Sequence, residues 1–335
     1  MLLFKSLRGP NFYMKYTILS LILIQFFASR AQAPKYSNEF LHLGVGAQAF
    51  AMGNAVAASS EDVTAGYWNP AGLTSATEWL QVSAMHSEYF AGIAKYDYVG
   101  VSHSLGKKGV LGFTFLRFGV DDIPNTTQLI DNDGRINYDN VTTFTAGDYA
   151  FMGSYAKSLA IPGLSLGGTV KVIHRRVGDF AKSWGFGLDA GVKYRLNSHW
   201  KFGLVARDAT STFNAWIFNL SQDMQQVFLS TGNEIPTNGL ELSLPRFITG
   251  ISYNHSIGNP DKGFNIAAEL DIDATTDGMR NTLIKSNTFS LDPHMGVQLS
   301  FKELVKVRGG VSSIQQFKAI DGSSSWGVQP NLGLG

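Results

Sequence analysis

Strict alternation of residue types over residues 184–195 constrains this chain more than any other feature. Every second residue is apolar, with an aromatic at each end: Trp184, Phe186, Leu188, Ala190, Val192 and Tyr194. The residues between them are small or charged: Gly185, Gly187, Asp189, Gly191, Lys193 and Arg195. Because successive side chains of a β-strand point to opposite faces, we predict a strand with one apolar and one polar face. A strand whose outer face crosses hydrocarbon between two headgroup layers has this pattern.

Similar segments recur from residue 80 onward, and the joints between them alternate in length. Short joints at 106–109 and 197–198 contrast with long ones at 120–146 and 212–242. A soluble β-sandwich also alternates, but its packed core does not tolerate a charged row without partners. Hairpins with short turns on one side of a membrane and loops on the other explain both features. We therefore predict an all-β fold, a transmembrane antiparallel β-barrel over 79–335, with twelve strands here and fourteen if one more hairpin follows.

The amino-terminal residues predict export. Met14 and Lys15 precede an apolar run over 18–27, the pattern of a cleaved signal peptide at 1–31, with 1–13 as an upstream start extension. Charged residues make up 16% of the chain, against about 25% in soluble domains. Basic residues form no nucleic-acid footprint. We expect a bacterial outer-membrane protein that contacts outer-membrane lipid.

Charged residues at inward positions of several strands have two interpretations. In an enzyme, such carboxylates and bases would form a catalytic pair and its neighbours. In a barrel, they form an electrostatic network that rigidifies the lumen, and we favour this interpretation for Lys171, Asp189, Lys193, Arg195, Glu269, Asp271 and Asp273. The seven histidines show no metal-ligand spacing, and no nucleophile–base pair stands out. We therefore predict neither enzyme activity nor a metal or cofactor.

Residues 35–77 do not alternate and are rich in Gly, Ala and Ser. They form either a periplasmic leader before the barrel or a plug inside its lumen, and we favour the plug, with bounds at 32–78. Close backbone approach to the wall would explain the glycines. The residues expected in this plug are Gly44, Gly46, Ala49, Met52, Gly53, Trp68, Asn69, Pro70, Ala71 and Gly72.

This segment carries a resemblance to a known family. Ala49, Met52 and Gly53, followed by Trp68 to Gly72 within Tyr-Trp-Asn-Pro-Ala-Gly-Leu, resemble the PorV/PorQ family of outer-membrane proteins of type IX secretion. The fold of that family is related to the long-chain fatty-acid transporter FadL. The resemblance implies a fourteen-stranded barrel with a small plug.

Two functions follow from this resemblance and from the pattern. The first is an accessory protein that binds the type IX translocon or secreted cargo through its extracellular loops. The second is a FadL-like transporter of hydrophobic small molecules, with bound lipid or another hydrophobic ligand. The apolar residues Phe213, Trp216 and Phe218 in the joint 212–242 are candidates for partner binding in either case.

Overall fold

A computed structural model describes residues 37–76, 78–130, 134–258, 263–302, 304–319 and 322–335. The predicted signal peptide lies outside these ranges. The described residues form fifteen strands: β1 (Leu80–Tyr89), β2 (Ala94–Ser104), β3 (Val110–Asn125), β4 (Thr142–Ser158), β5 (Leu164–Val177), β6 (Ala181–Arg195), β7 (Trp200–Arg207), β8 (Thr212–Phe218), β9 (Gly239–Ser243), β10 (Arg246–Ile257), β11 (Phe264–Thr275), β12 (Ile284–Lys285), β13 (Ser290–Phe301), β14 (Val305–Lys318) and β15 (Ser324–Leu334).

Short helices accompany the strands. They span Glu39–His42, Ala47–Ala51, Ala65–Trp68, Pro70–Ser75, Gly106–Lys108, Tyr138–Asn140 and Gln222–Ser230. Among the described residues, no helix has both the length and the apolar character to span a membrane.

One antiparallel sheet contains all the strands. Its path runs β1-β2-β3-β4-β5-β6-β7-β10-β11-β13-β14-β15, twelve strands in all, while β8, β9 and β12 pair beside it. The predicted antiparallel all-β fold and the count of twelve strands are confirmed. Because neighbours in this path are mostly neighbours in sequence, hairpins build the sheet, as in an up-and-down barrel.

The two faces of β6 have opposite character. Leu188 is 42% exposed and Phe186 59% exposed, whereas Asp189 and Lys193 are buried. Pairing carries the apolar row across the sheet, because Phe186 lies opposite Val172 of β5. Large apolar side chains exposed in this regular way belong to a lipid-facing surface. The apolar row of the sequence therefore faces outward.

The sheet curls around residues 37–76, which we call the lumen segment. At one end of the path, the Gly46 N–H donates to Sδ of Met85 in β1 at 3.2 Å. At the other end, a Cβ built on Gly333 of β15 would lie 2.5 Å from the Ala51 Cβ. Since the first and last strands touch the same segment, the sheet forms a barrel around it.

The prediction of a single loop over 212–242 is wrong. β7 and β8 both pair antiparallel with β6, so they are two halves of one long strand. Residues 208–211 interrupt that strand, and Asp208 and Ser211 have left-handed φ values of 50° and 61°. The interruption shifts the alternation, which hides the second half of the strand in the sequence. β8 in turn pairs with β9, which leaves 219–238 as the joint.

A smaller correction applies to the predicted joint 120–146. β3 continues to Asn125 and β4 begins at Thr142, so the joint is limited to 126–141. The pairing of β3 with β4 shifts register between Val120 and Ile123, where Asp122 has a φ of 57°. Such a bulge places an extra residue in one strand and conceals its continuation in the sequence pattern.

The outward position of Leu188 leads to a test of depth. Leu188→Arg should lower the free energy of unfolding by roughly 2–4 kcal/mol, because it puts a cation near the middle of the hydrocarbon. Leu196→Arg is the matched control, since Leu196 is 52% exposed in the turn after β6. Near the interface, that change should cost about 0–1 kcal/mol. Urea unfolding from phospholipid vesicles measures both, and equal losses would contradict the assignment.

Candidate functional site

Two buried carboxylates of β11 hold the backbone of the lumen segment. The Val56 and Ala57 N–H groups donate to Oδ2 of Asp271 at 2.8 and 2.9 Å. The Ala58 N–H donates to Oε1 of Glu269 at 2.6 Å. A buried carboxylate and a buried N–H group each cost free energy without a partner, and here each satisfies the other. These contacts fix the middle of the segment to the wall.

A second anchor joins Glu61 to two lysines of the wall. Nζ of Lys193 lies 2.8 Å from Oε1 of Glu61, and Nζ of Lys201 lies 2.8 Å from Oε2. Burial by itself would raise the pKa of Glu61, but the two ammonium groups outweigh it and lower the pKa to about 2. Arg195 is 4.0 Å from Oε1 and its side chain is 56% exposed, so it lies at the edge of this group.

The other residues of the predicted charged network form two separate groups. Nζ of Lys171 lies 2.7 Å from Asp189 and 2.5 Å from Asp208, all three deeply buried. This triad lies where residues 208–211 interrupt the strand. Asp273 pairs instead with Arg246 of the neighbouring strand β10. The sequence predicted the inward positions, but the division into clusters depends on pairings between distant segments.

Asn69 and Pro70 lie directly against the inner wall. The Asn69 side chain donates to the carbonyl oxygens of Ala57 at 2.8 Å and Val192 at 3.1 Å, and its Oδ1 accepts from the Ala71 N–H at 3.2 Å. A Cβ on Gly191 would lie 2.2 Å from Oδ1 of Asn69. Only glycine permits this approach, so wall glycines and the Asn-Pro-Ala element fit each other.

The first half of the motif is held in the same way. Cβ atoms built on Gly296 and Gly310 would lie 2.5 and 2.2 Å from backbone atoms of Met52. One built on Gly53 would lie 2.8 Å from the backbone of Val311. Among the other motif residues, the Gly44 N–H donates to the Tyr67 hydroxyl, Trp68 Nε1 donates to the Val45 carbonyl, Ala49 is buried, and Gly72 packs on the Ser60 carbonyl.

An apolar cavity of about 480 Å³ opens at the end of the barrel opposite the turn Gly106–Lys108. Its wall consists of apolar and uncharged polar residues, including Phe144, Phe180, Trp216, Phe218, Met224 and Phe228. Ser221 caps the helix Gln222–Ser230 by accepting from the Met224 N–H at 3.3 Å. Met224 and Phe228 are four residues apart and therefore share the helix face that closes the cavity.

Trp216 stands between this cavity and a charged group. Its Nε1 donates to Oε2 of Glu241 at 2.9 Å, and the Arg175 guanidinium lies 5.0 Å from its ring centroid. Arg175 also donates to Asp148 at 2.8 Å. The indole thus presents an apolar surface to the cavity while its N–H is satisfied on the other side.

The three predicted partner-binding residues have different positions. They all lie on strand β8 rather than in a loop, which corrects the sequence prediction. Phe213 points outward and is 45% exposed, while Trp216 and Phe218 line the cavity. Sequence reasoning missed Phe180 and Met224; the four-residue spacing of Met224 and Phe228 was the available signal for Met224.

The described residues hold no group of three or more His, Cys, Asp or Glu side chains arranged to bind a metal ion.

No protein-family model and no curated protein matches the chain. Solved structures of similar shape include the CymD monoaromatic hydrocarbon channel, at 14% identity over 81% of this chain and 83% of that one, with a TM-score of 0.47. The toluene transporter TbuX of Ralstonia pickettii has 14% identity over 84% and 88% and a TM-score of 0.42. The toluene transporter TodX of Pseudomonas putida has 12% identity over 80% and 83% and a TM-score of 0.45.

The carboxylate anchor can be tested at Asp271. Asp271→Leu keeps the branched shape of the side chain but leaves the Val56 and Ala57 N–H groups buried without an acceptor. Since each such group costs about 1–3 kcal/mol, unfolding in urea should show a loss of roughly 2–5 kcal/mol, and protease should cut within 37–76. Asp179→Leu is the control, because that side chain is 90% exposed. Equal stability of the two variants would show that the anchor contributes nothing.

The Glu61 anchor predicts a pH dependence. The pKa of Glu61 is lowered from 4.5 to about 2, so its contribution to stability is complete above pH 4.5 and is lost as the pH falls toward 2. In that window, the wild-type protein should lose stability more steeply than Glu61→Gln, whose amide does not titrate. Urea midpoints measured between pH 7 and pH 2 in steps of about one unit test this. Parallel curves for the two proteins would refute it.

Proposed function

We propose that this protein is an outer-membrane barrel that takes up a neutral hydrophobic small molecule, which first binds in the apolar cavity at the loop end. The cavity is the observation that carries the proposal. Its volume of about 480 Å³ falls within the roughly 300–1,000 Å³ of small-molecule sites. Four phenylalanines and one tryptophan are among the residues that line it.

The chemistry of the wall selects against charged ligands. The cavity residues carry no formal charge, so a carboxylate would lose its hydration without gaining a partner. Arg175 is engaged by Asp148 and Glu241 on the far side of Trp216. A neutral aromatic or aliphatic hydrocarbon therefore fits better than an ionised fatty acid.

Ligand binding provides the test. Toluene should quench tryptophan fluorescence of the purified barrel at concentrations where octanoate does not, because Trp216 lines the site. Phe218→Ala should weaken toluene binding by about 2 kcal/mol, near thirtyfold, as expected when a buried aromatic contact is removed. Phe213→Ala is the matched control, since Phe213 lies on the same strand and points outward. Equal effects of the two changes would overturn the proposal.

A second candidate is the secretion partner that the PorV/PorQ resemblance implies. The anchored lumen segment supports it, because a partner role requires no open path through the barrel. The motif itself does not choose between the functions, since its residues contact the wall and would serve any plugged barrel. Faster entry of toluene into lipopolysaccharide-containing vesicles with the intact protein than into the same vesicles without it favours uptake. Binding of translocon or cargo proteins without such entry favours the partner role.

A further inference from the structure

A group of six charged or titratable side chains lies on the outward face of β1, β2 and β3. We call it the outer charged cluster: His86, Glu88, Lys95, Asp97, Arg117 and Asp121. His86, Asp97 and Arg117 lie directly opposite one another in the strand pairing. Ion pairs join the group, with His86 2.6 Å from Asp97, Arg117 3.0 Å from Asp121, and Lys95 3.1 Å from Asp121.

The cluster belongs to the lipid-facing side of the sheet. The side chains of His86, Glu88 and Lys95 are 56%, 58% and 41% exposed. One row nearer the short turns, Val99 of β2 lies opposite Phe115 of β3, and both belong to the outward apolar surface. The charges thus continue the outward rows and do not point into the lumen.

On β6 and β13, the apolar outer surface extends further along the barrel axis than it does on β1–β3. In β6, it runs ten residues from Tyr194 to Trp184, or about 25 Å for a strand tilted by about 40°, the height of the hydrocarbon band. In β13, every outward residue from Leu291 to Phe301 is apolar. These strands have the profile of a surface in contact with acyl chains.

In β1–β3, outward charged residues begin at a smaller height above the lower membrane interface. Trp79 is 73% exposed just before β1 and marks the lower interface. His86 is only six residues beyond Leu80, or about 15 Å higher by the same geometry, well short of the upper edge. Above the cluster, the β1–β2 turn is apolar again, with Phe90 75% and Ile93 62% exposed. The charged strip is therefore bordered by apolar surface above and below.

Contact between acyl chains and such a charged strip is energetically unfavourable. Ionised side chains within the hydrocarbon band are unfavourable, and those found there face protein or water. An apolar border around a polar centre is instead what a protein interface inside a membrane requires. The occupant must offer both hydrogen-bond donors and acceptors at this depth.

We propose that this face binds the same face of a second copy of the chain. The cluster contains three acids and three basic or titratable nitrogen groups, and the signs alternate along and across the strands. Such an arrangement is self-complementary under a two-fold axis, because each acid of one copy can meet a base of the other. A surface of one sign would instead have indicated a different partner of opposite charge.

Cysteine cross-linking tests the proposal cleanly, because the chain has no cysteine. Val99→Cys places a thiol beside the cluster, and Val297→Cys places one on the opposite outward surface, in β13. Each variant of the full chain is reconstituted in phosphatidylcholine vesicles and oxidised. Val99→Cys should form disulfide-linked dimers at least about tenfold faster than Val297→Cys, as expected for a specific interface.

A charge change connects the dimer to the cluster. In the Val99→Cys background, Lys95→Glu should lower the dimer yield by about tenfold, because it puts like charges together across the axis. The heat-dependent shift of the folded barrel on gels shows whether the Lys95→Glu variant folds. If that variant does not fold, Lys95→Gln is used in its place.

Equal cross-linking rates at the two cysteine sites would overturn the proposal. So would quenching, by lipids brominated on their acyl chains, of a fluorophore attached to the thiol of the Val99→Cys variant. Capture of that thiol in native membranes only by a different protein would also overturn it.

Discussion

The structure depends on the contact between the inward carboxylates of β11 and the backbone amides of residues 56–59. Each side of this contact would be unfavourable alone. The carboxylates of Glu269 and Asp271 are buried inside the barrel, and the amides belong to a stretch without regular secondary structure. Since removal of either side leaves the other buried and unsatisfied, the wall and the lumen segment stabilise each other. The segment is thus a part of the barrel interior and not an appendage of it.

This dependence explains the composition of the inward rows. Glycine occurs where the lumen segment touches the wall, as at Gly191 beside the Asn69 side chain and at Gly310 beside the Met52 backbone. Charged residues occur where the segment offers a complementary group, as at Lys193 beside Glu61. In β6, Gly191 and Lys193 therefore match the shape and charge of the lumen segment, whereas Asp189 is matched by Lys171 of the wall. A lumen filled only by water would not require this order.

Much of the barrel could be predicted from the sequence because alternation is local. The predicted strand at 184–195 lies within β6, and the predicted short joint 106–109 separates β2 from β3. Alternation failed where a few left-handed residues interrupt a strand: Asp208 and Ser211 concealed β8 and thereby the wall position of Phe213. The pairing of Glu61 with Lys193 joins residues 132 apart in sequence, and no local pattern encodes it. The apolar cavity depends likewise on β3, β5, β8 and a helix meeting at one end of the barrel.

Charged residues need partners in a low-dielectric environment, both inside the barrel and on its outer surface. Inside, the three described groups around Lys171, Glu61 and Asp273 consist of ion pairs between strands or between the wall and the lumen segment. Pairing of this kind is what makes buried charges tolerable in a low-dielectric interior. Outside, β6 and β13 keep charge away from the full height of the hydrocarbon, as lipid contact demands. The outer charged cluster on β1–β3 is internally paired but lies at a depth where the outer surfaces of β6 and β13 are apolar. Because lipid exposure acts on every outward strand alike, a charged strip confined to three adjacent strands indicates that their surroundings differ from those of the other strands. A protein neighbour provides that difference, since it can accept ion pairs at a depth where acyl chains cannot.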